Sequence, residues 1–253
     1  EGAREAISKS KKLILMYQSL SKLSERELSA LIDRVDTLEN VTQDDKALWL
    51  VMLLSRMAEI SPELSVELAQ ESANKSTLPL NKGFVMRSIF TIWAKNTPED
   101  LLQYLLTNRR YDTGYIELLF RHWSTEDFQQ ALSTAEAQQK YLLEPYFGMV
   151  DGSRSASHYQ QLLPIIQSKQ SDDLSRYFFR RWASFDALSA AEWLANNTQV
   201  GEAEELKSHI FHEVINHDFS YAIDWYFANT NDKFDTPKFS YSNFSSFIQP
   251  QQY

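Results

Sequence analysis

The stretch Phe90-Thr-Ile-Trp93-Ala94 decides the fold of this chain, because its pattern returns at regular intervals. Phenylalanine, tryptophan three residues later and then a small residue recur in Phe120-Arg-His-Trp123-Ser124 and in Phe179-Arg-Arg-Trp182-Ala183. With weaker copies at 54–58, 147–150 and 211–214, the tryptophan position falls at residues 57, 93, 123, 150, 182 and 214. The gaps between these positions are 36, 30, 27, 32 and 32 residues. A period of this size predicts stacked helical hairpins.

Each copy of the pattern has the features of a tight turn between two helices. Residues at i and i+3, such as Phe90 and Trp93, share one helix face, and the small residue after the tryptophan leaves room for the chain to turn. A hydroxyl residue before proline then begins the second helix, as in Ser61-Pro62 and Thr97-Pro98, where proline loses no hydrogen bond. Further predicted helix starts lie at Ser124 with Asp127 and at the capping box Ser24 to Glu27.

The composition also favours helices. Glycine and proline, 6 and 7 residues, make up roughly 5% of the 253-residue chain, against a usual share of about 12%. So few breakers leave little room for the turns of a many-stranded β-fold. Apolar residues recur at i, i+3, i+4 and i+7 almost throughout, and this spacing predicts about fourteen helices of roughly 10–18 residues. The sequence therefore predicts an all-α fold.

In this repeat pattern the chain resembles α-solenoid proteins of the tetratricopeptide-like or HEAT-like kind, although its units lack the glycine that follows the tryptophan in the tetratricopeptide pattern. The resemblance implies a right-handed α-solenoid of about six to seven stacked hairpins over residues 1–229, with a concave binding groove. Residues 230–253 are predicted to be an aromatic-rich C-terminal tail without helical period. The tail is expected either to dock its aromatic residues on the last repeat or on a partner, or to be a linker.

Charge and cysteine content bear on partners and compartment. The chain has 25 basic and 34 acidic residues, a net charge of −9, whereas duplex-binding proteins carry a basic face. The longest apolar run, Ala47 to Leu54, is far shorter than the ~20 residues that span a bilayer. The absence of cysteine favours an oxidising compartment. We expect a bacterial, periplasmic protein that is either free or tethered to the membrane through a segment before Glu1. The alternative is a cytoplasmic location.

Candidate catalytic and metal-binding residues do not form a workable pattern. His212-Glu213 with His217 resembles the helix of zinc proteases, but that helix needs histidines at i and i+4. The spacing here is i to i+5, which places the two imidazoles about 140° apart on a helix. His209 and His212, at i and i+3, could form only a weak metal site with two ligands. The chain has no Gly-x-Ser-x-Gly motif and no glycine-rich phosphate loop. We expect no enzymatic activity, no cofactor and no metal.

Arginine recurs between the aromatic anchors of separate repeats. Such residues lie 100–200° away from the anchors on the helix, where they can line a groove together with tyrosines, and arginine with tyrosine is typical of interface hot spots. The alternative is that each arginine forms a salt bridge with an acidic residue of the next helix. The candidate partner-binding residues are Arg121, Arg180, Arg181, Tyr104 and Tyr177, with Arg56, Arg87, Arg109, Arg110, Tyr111 and Tyr115 nearby.

These observations predict a non-enzymatic protein–protein interaction scaffold. Its groove is expected to hold an acidic or C-terminal peptide segment of a partner protein. Two alternatives remain open: the non-catalytic superhelical scaffold of a cell-wall enzyme of the lytic transglycosylase kind, and a helical signal-sensing domain of a regulator. A cell-wall enzyme would also need a catalytic domain that this stretch of sequence does not contain.

Overall fold

The computed structural model describes residues 17–75, 78, 81–108, 112–138, 143–196, 203–215 and 218–229. Side chains are described for these residues except 75, 203–206, 208, 209 and 229. The expectations for Arg109, Arg110, Tyr111, His217, the His209 side chain and the tail 230–253 concern parts of the chain outside this set.

Within these ranges residues 17–20 are helical, thirteen α-helices and one 3-10 turn follow them, and none of the described residues lies in a β-strand. The all-α prediction is confirmed. The helices are α1 (Glu25–Ile32), α2 (Gln43–Ile60), α3 (Pro62–Lys75), α4 (Lys82–Asn96), α5 (Pro98–Thr107), α6 (Gly114–Glu126), α7 (Phe128–Ala137), α8 (Glu144–Gly152), α9 (Ala156–Ser168), α10 (Asp172–Phe185), α11 (Ala187–Asn196), α12 (Ala203–Ile215) and α13 (Phe219–Asn229), with the 3-10 turn at Val35–Thr37 between α1 and α2.

The recurring sequence pattern marks a recurring backbone turn. At four of its copies, a single residue separates two helices, and its N–H donates to the carbonyl of the residue at the tryptophan position four residues earlier. A fifth copy has the same hydrogen bond at Asp218. The donor and acceptor pairs are Ser61 with Met57 (2.7 Å), Thr97 with Trp93 (2.9 Å), Asp127 with Trp123 (2.8 Å), Asp186 with Trp182 (2.7 Å) and Asp218 with Val214 (2.8 Å).

Two of the predicted helix starts differ in detail. Asp127 caps α7 with its own carboxylate, which accepts a hydrogen bond from the N–H of Gln130 at 2.9 Å. Ser124 is not a cap, because it lies buried inside α6, one turn before the junction. Thr97 makes no side-chain capping bond, since its extended backbone serves both helices and Pro98 removes one N–H that would need a partner. The capping box of Ser24 and Glu27 forms as predicted.

The aromatic anchors form the core. Trp93, Trp123 and Trp182 are 1%, 2% and 3% exposed, so the recurring tryptophan position is a core position. The phenylalanines three residues before them, Phe90, Phe120 and Phe179, are equally buried.

Contacts divide the chain into two compact units, Glu1–Leu174 and Ser175–Tyr253. In the first unit each helix packs on the next, and the first helices of successive hairpins, α2, α4, α6 and α8, pack in that order. Side-chain hydrogen bonds join the second helices: Gln130 of α7 donates to Glu99 of α5 at 2.5 Å, and Gln129 donates to Gln161 of α9 at 2.7 Å. The paired residues are 31 and 32 positions apart, which is one sequence period.

The closest helix contact in the first unit joins α6 and α8. Gly148 and Gly152 lie on the contacting face of α8, against the backbone of Glu117 and Arg121 and the hydroxyl of Ser124. Glycines four residues apart remove two side chains from one helix face, so the two backbones meet directly.

In the second unit, ring contacts and one indole hydrogen bond hold the helices together. Phe179 stacks on Trp193 at 4.7 Å between ring centroids, and Phe211 of α12 contacts Tyr226 of α13 at 4.8 Å. The buried Nε1–H of Trp225 donates to the carbonyl of Ala191 at 2.9 Å. None of the described helices has both the length and the apolar character that a membrane span requires.

Candidate functional site

A cavity of about 610 Å³ opens in the first unit where the hairpin of α2 and α3 meets the hairpin of α4 and α5. We call it the Trp93 cavity. Its volume is within the ~300–1,000 Å³ range of ligand sites. The lining residues are Ile60, Ser61, Pro62, Glu63, Trp93, Asp100, Gln103, Tyr104, Thr107 and Asn108.

The repeat pattern explains why the cavity is at this place. Ser61 is the junction residue of the first hairpin, and Trp93 is the anchor of the next. Because the hairpins are stacked, the turn of the first hairpin therefore lies beside the last turn of the first helix of the next hairpin. Because the junction is a single residue and not a longer loop, the start of α3 lies close to α5.

An aromatic cluster forms one wall of the Trp93 cavity. The rings of Trp93 and Tyr104 lie 4.9 Å apart between centroids, and Phe90 lies 6.4 Å from each of them. Tyr115 of α6 packs edge-on against Phe90 at 4.8 Å. These contacts fix Tyr104, which is partly exposed, at the boundary between the core and the cavity.

The indole of Trp93 presents an unsatisfied donor. Its Nε1 atom is buried and has no hydrogen-bond partner among the described residues. Buried polar groups are nearly always partnered, and each exception needs an explanation such as a bound ligand or water. The indole Nε1 of Trp123, at the same position of the next hairpin, is likewise buried without a hydrogen-bond partner among the described residues, whereas that of Trp225 in the second unit donates to a backbone carbonyl.

Polar side chains form the other walls. Two of them are tied to the end of α5: Thr107 donates to the carbonyl of Gln103 at 2.8 Å, and the Asn108 amide donates to the carbonyl of Tyr104 at 2.9 Å. Glu63 and Asp100 are exposed, and neither has a salt bridge to a residue that the structure describes. Both lie in the first turn of a helix, where a carboxylate is stabilised by the helix dipole.

Of the residues predicted to bind a partner, Tyr104 lies in this cavity. The sequence analysis did not single out Glu63, Asp100 or the indole of Trp93 as binding groups. A signal for these carboxylates was present, because Glu63 directly follows Pro62 and Asp100 lies in the equivalent first turn after Pro98. It was interpreted only as helix-start chemistry, since nothing in one sequence shows which helix starts adjoin a cavity.

Arg121 is held in an ion pair. It extends from α6 to the carboxylate of Asp151 in α8, and Arg154 donates to the backbone carbonyl of the same Asp151 at 2.9 Å. The Arg121 side chain is 38% exposed and that of Asp151 is 12% exposed. Arg56 likewise pairs with Glu59, one turn along α2, and donates to the carbonyl of Ser21 at 2.9 Å. The Arg121 pair is the arrangement expected if these arginines bridge to acidic residues of the next hairpin.

The remaining predicted residues belong to the second unit. Arg180 and Arg181 are exposed on α10, and Tyr177, one turn earlier, is partly buried. Ser184 donates to the carbonyl of Arg180 at 3.0 Å, so this part of α10 is regular helix. A role for these arginines in holding an acidic segment stays a prediction.

The α6–α8 contact perturbs a carboxyl group. Burial raises the pKa of Glu117, the guanidinium of Arg121 lowers it, and the charges of Glu144 and Asp151 raise it further. The net direction is upward because desolvation outweighs the single nearby cation. A carboxyl group of this kind is easier to protonate than an exposed one. It lies beside an internal contact between two helices, so we assign it to the structure of the protein and not to a binding site.

Two histidines of the first unit also have shifted pKa values. Burial lowers the pKa of His158, whose ring stacks on Phe128 at 4.0 Å and whose Nδ1 accepts from the backbone N–H of Arg154 at 3.2 Å. Burial also lowers the pKa of His122, and the charges of Lys95 and Arg121 act in the same direction.

No metal centre is visible in the part of the chain that the structure describes, since no three His, Asp or Glu side chains there come close enough to share an ion. His212 contacts the ring of Phe211 at 6.1 Å between centroids. In comparisons with known proteins, the chain matches no family model, and no curated protein or solved structure is significantly similar to it.

Proposed function

We propose that the chain is a non-enzymatic protein-interaction scaffold of stacked helical hairpins that receives a peptide segment of a partner in the Trp93 cavity. The observation that carries this proposal is the cavity itself, in which the apolar surface of Ile60 and Pro62 and a partly exposed Tyr104 adjoin a polar wall. Such a mixture of apolar surface and a few polar groups is typical of binding sites.

The repeat interpretation is supported by the first unit. Three of its hairpin junctions, at Ser61, Thr97 and Asp127, share one hydrogen-bond pattern, and its second helices are joined by side chains one period apart. Stacking of hairpins at a fixed step produces an extended concave surface in repeat proteins. A right-handed solenoid of the tetratricopeptide-like or HEAT-like kind is the form that we propose for it.

A peptide suits the chemistry of the Trp93 cavity better than a wholly apolar ligand. Its side chains can contact Ile60 and Tyr104. Gln103 and Asn108 carry amides that can pair with peptide groups. Binding in a preformed cavity also avoids the cost of ordering a loop.

Site-specific crosslinking tests this proposal. A photo-crosslinking amino acid at Gln103, which is exposed in the cavity lining, should capture a partner protein in the native cell. The matched control is the same replacement at Gln160, an exposed glutamine of α9 outside the lining. Filling the cavity with Thr107→Trp should abolish the adduct. An adduct formed equally at Gln160, or one that survives Thr107→Trp, would contradict the proposal.

An extracytoplasmic location is part of the same proposal. Its support is the absence of cysteine among 253 residues, since stray thiols are a liability in oxidising compartments. Fractionation of the native cell with detection of this chain tests it, and recovery with cytoplasmic markers would overturn it.

A further inference from the structure

Cationic side chains from three successive hairpins meet at the turn end of the first unit. Lys95 lies in the last turn of α4, His122 in the second half of α6, and Arg154 two residues after the end of α8. The ends of α6 and α8 adjoin, because Thr125 donates to the carbonyl of Gly152 at 3.3 Å. The charges of Lys95 and Arg154 both act on the imidazole of His122, so the three groups are neighbours. We call these three residues the basic cluster.

Arg154 is held in a position to bind an anion. Its Nη1 atom donates to the backbone carbonyls of Asp151 at 2.9 Å and Ser153 at 3.2 Å. The other edge of the guanidinium, with Nε and Nη2, donates to no residue that the structure describes, and the side chain is exposed. An arginine fixed in this way loses little conformational freedom when a carboxylate binds to its open edge through two hydrogen bonds.

Positive charge exceeds negative charge around His122. Burial is the largest cause of its lowered pKa, and the cations of the basic cluster and Arg121 act in the same direction, against Glu126. The charge of Arg121 is already met by Asp151. Lys95 is exposed and has no ion pair with a carboxylate in the described ranges. The imidazole of His122 is partly exposed and also has no hydrogen bond there. These groups are therefore available to a ligand.

The helix ends do not oppose an anion at this place. The C-terminal end of a helix carries partial negative charge, but at the ends of α4 and α6 the positive N-terminal end of the next helix begins one residue later. The two dipoles oppose each other. The carbonyls of Trp93 and Trp123 already accept the junction N–H groups, so the charged side chains determine the local potential.

We propose that the basic cluster binds an acidic peptide segment of a partner protein, with one carboxylate on the open edge of Arg154 and another beside Lys95 and His122. Packed helices lie about 8–10 Å apart, and alternate side chains of an extended peptide follow one another at about 7 Å. Carboxylates two residues apart can therefore reach cations of neighbouring helices, and such a segment engages more of the cluster than a single small anion does.

This surface is additional to the proposed peptide site, because the lining of the Trp93 cavity contains none of the three residues of the basic cluster. The net charge of −9 disfavours an acidic partner at long range. Charges beyond about 8 Å are largely screened at physiological ionic strength, so the nearby cations dominate once the segment is in contact.

Fluorescence anisotropy of labelled octapeptides with the intact chain tests the inference. The probe alternates Ser and Glu, its control alternates Ser and Gln, and both have a blocked C terminus. We expect the Ser-Gln peptide to bind about tenfold more weakly, the effect of two or three partly screened ion pairs. The variant Lys95→Gln/Arg154→Gln should weaken binding of the Ser-Glu peptide by about the same factor, and the loss should shrink as salt is raised.

A matched variant separates the position of the charges from their number. Lys82→Gln/Arg87→Gln removes one lysine and one arginine from exposed positions in the first half of α4, and it should leave binding within about twofold. Circular dichroism compares the fold of all variants. If Arg154→Gln impairs folding, Lys95→Gln alone decides, with an expected loss of about threefold.

The pKa of His122 provides a readout at the site itself. A carboxylate bound nearby favours the charged imidazole, so the pKa of His122 should rise when the Ser-Glu peptide is added and stay constant with the Ser-Gln peptide. NMR titration of the imidazole signals follows this change, and the variant His122→Asn identifies the signal. Binding of the Ser-Glu peptide without a rise in this pKa would overturn the basic cluster as its site.

The outcomes distinguish the inference from the proposed function. Equal binding of the two peptides, no binding of either, or unchanged binding in Lys95→Gln/Arg154→Gln would overturn the basic cluster and leave the Trp93 cavity untouched. Thr107→Trp, which fills that cavity, should not alter binding of the Ser-Glu peptide. Loss of binding in Thr107→Trp would place the acidic peptide in the cavity instead, which contradicts the inference and supports the proposed function.

Discussion

Gly148 of α8 lies so close to Glu117 of α6 that a Cβ atom built on the glycine would come nearer than 3.0 Å to the backbone carbonyl oxygen of Glu117. The neighbouring backbone of Arg121 is at 3.0 Å from the same point. Backbone atoms cannot rotate away as a side chain can. The contact between these two helices therefore depends on the absence of a side chain at residue 148.

We expect Gly148→Ala to destabilise the protein by about 3 kcal/mol, the upper part of the range for overpacking. Urea unfolding followed by circular dichroism measures the change. Gly114→Ala is the control, because its Cβ would meet nothing closer than the Asp112 carboxylate at 3.7 Å. That variant should be neutral or stabilised by up to about 1 kcal/mol, since alanine favours helix. Equal effects of the two substitutions would refute the close helix contact.

Truncation of a recurring anchor should be costly. Trp123 is 2% exposed, and its ring lies 5.5 Å from that of Phe120, so Trp123→Ala should lower the free energy of unfolding by about 3–5 kcal/mol. Trp49 is 38% exposed, and we expect Trp49→Ala to cost about 1 kcal/mol or less. Thermal or urea unfolding of both variants gives the comparison. Near-wild-type stability of Trp123→Ala would exclude the anchor role.

The helical fold and its buried anchors were predictable because they depend on local spacing. The interval from Phe120 to Trp123 defines one helix face, and the junction residue Asp127 follows four residues later in the same way as Thr97 follows Trp93. Local hydrogen bonds and apolar periodicity determine these features without reference to distant residues.

The candidate site was only partly predictable because it depends on contacts between hairpins. Tyr104 was identified, whereas the role of Glu63 becomes visible only when α3 is seen beside α5. Arg121 shows the same limit: its sequence position suggested a groove, but its partner Asp151 lies 30 residues away. The Gly148 and Gly152 pair was overlooked, since Val150 made that repeat look like a weak copy.

The arginines of α10 give a test of the acidic-segment hypothesis. If Arg180 and Arg181 hold an acidic partner segment, Arg180→Glu/Arg181→Glu should abolish its capture while leaving the Tm nearly unchanged. Arg121→Glu is a useful contrast, because it puts a carboxylate beside Asp151 and should lower stability by about 1 kcal/mol or more. Partner capture by pull-down and thermal unfolding are measured on the same samples. Survival of capture, or unfolding of the α10 double variant, would make these arginines structural.

Stability should fall as the pH is lowered through the titration of two histidines. Burial holds the pKa of His158 and of His122 below the ordinary value, which is about 6.5. As the pH falls, the unfolded chain therefore takes up protons first, and this uptake lowers the free energy of the unfolded state relative to the folded one. The contribution is fully present above about pH 6.5 and is lost as the pH falls through the lowered pKa values of the folded protein.

The variant His158→Asn isolates one of these groups. An asparagine oxygen can accept the hydrogen bond that Nδ1 of His158 accepts from the N–H of Arg154, but asparagine does not titrate. We expect the free energy of unfolding of this variant to change less between pH 7.5 and pH 5, roughly one unit either side of the ordinary histidine pKa, than that of the wild type. His122 is unchanged in this variant and still contributes part of the pH dependence of the free energy of unfolding. An unchanged or steeper pH dependence in His158→Asn would show that the His158 ring, which stacks on Phe128, accepts a proton as readily in the folded chain as in the unfolded one.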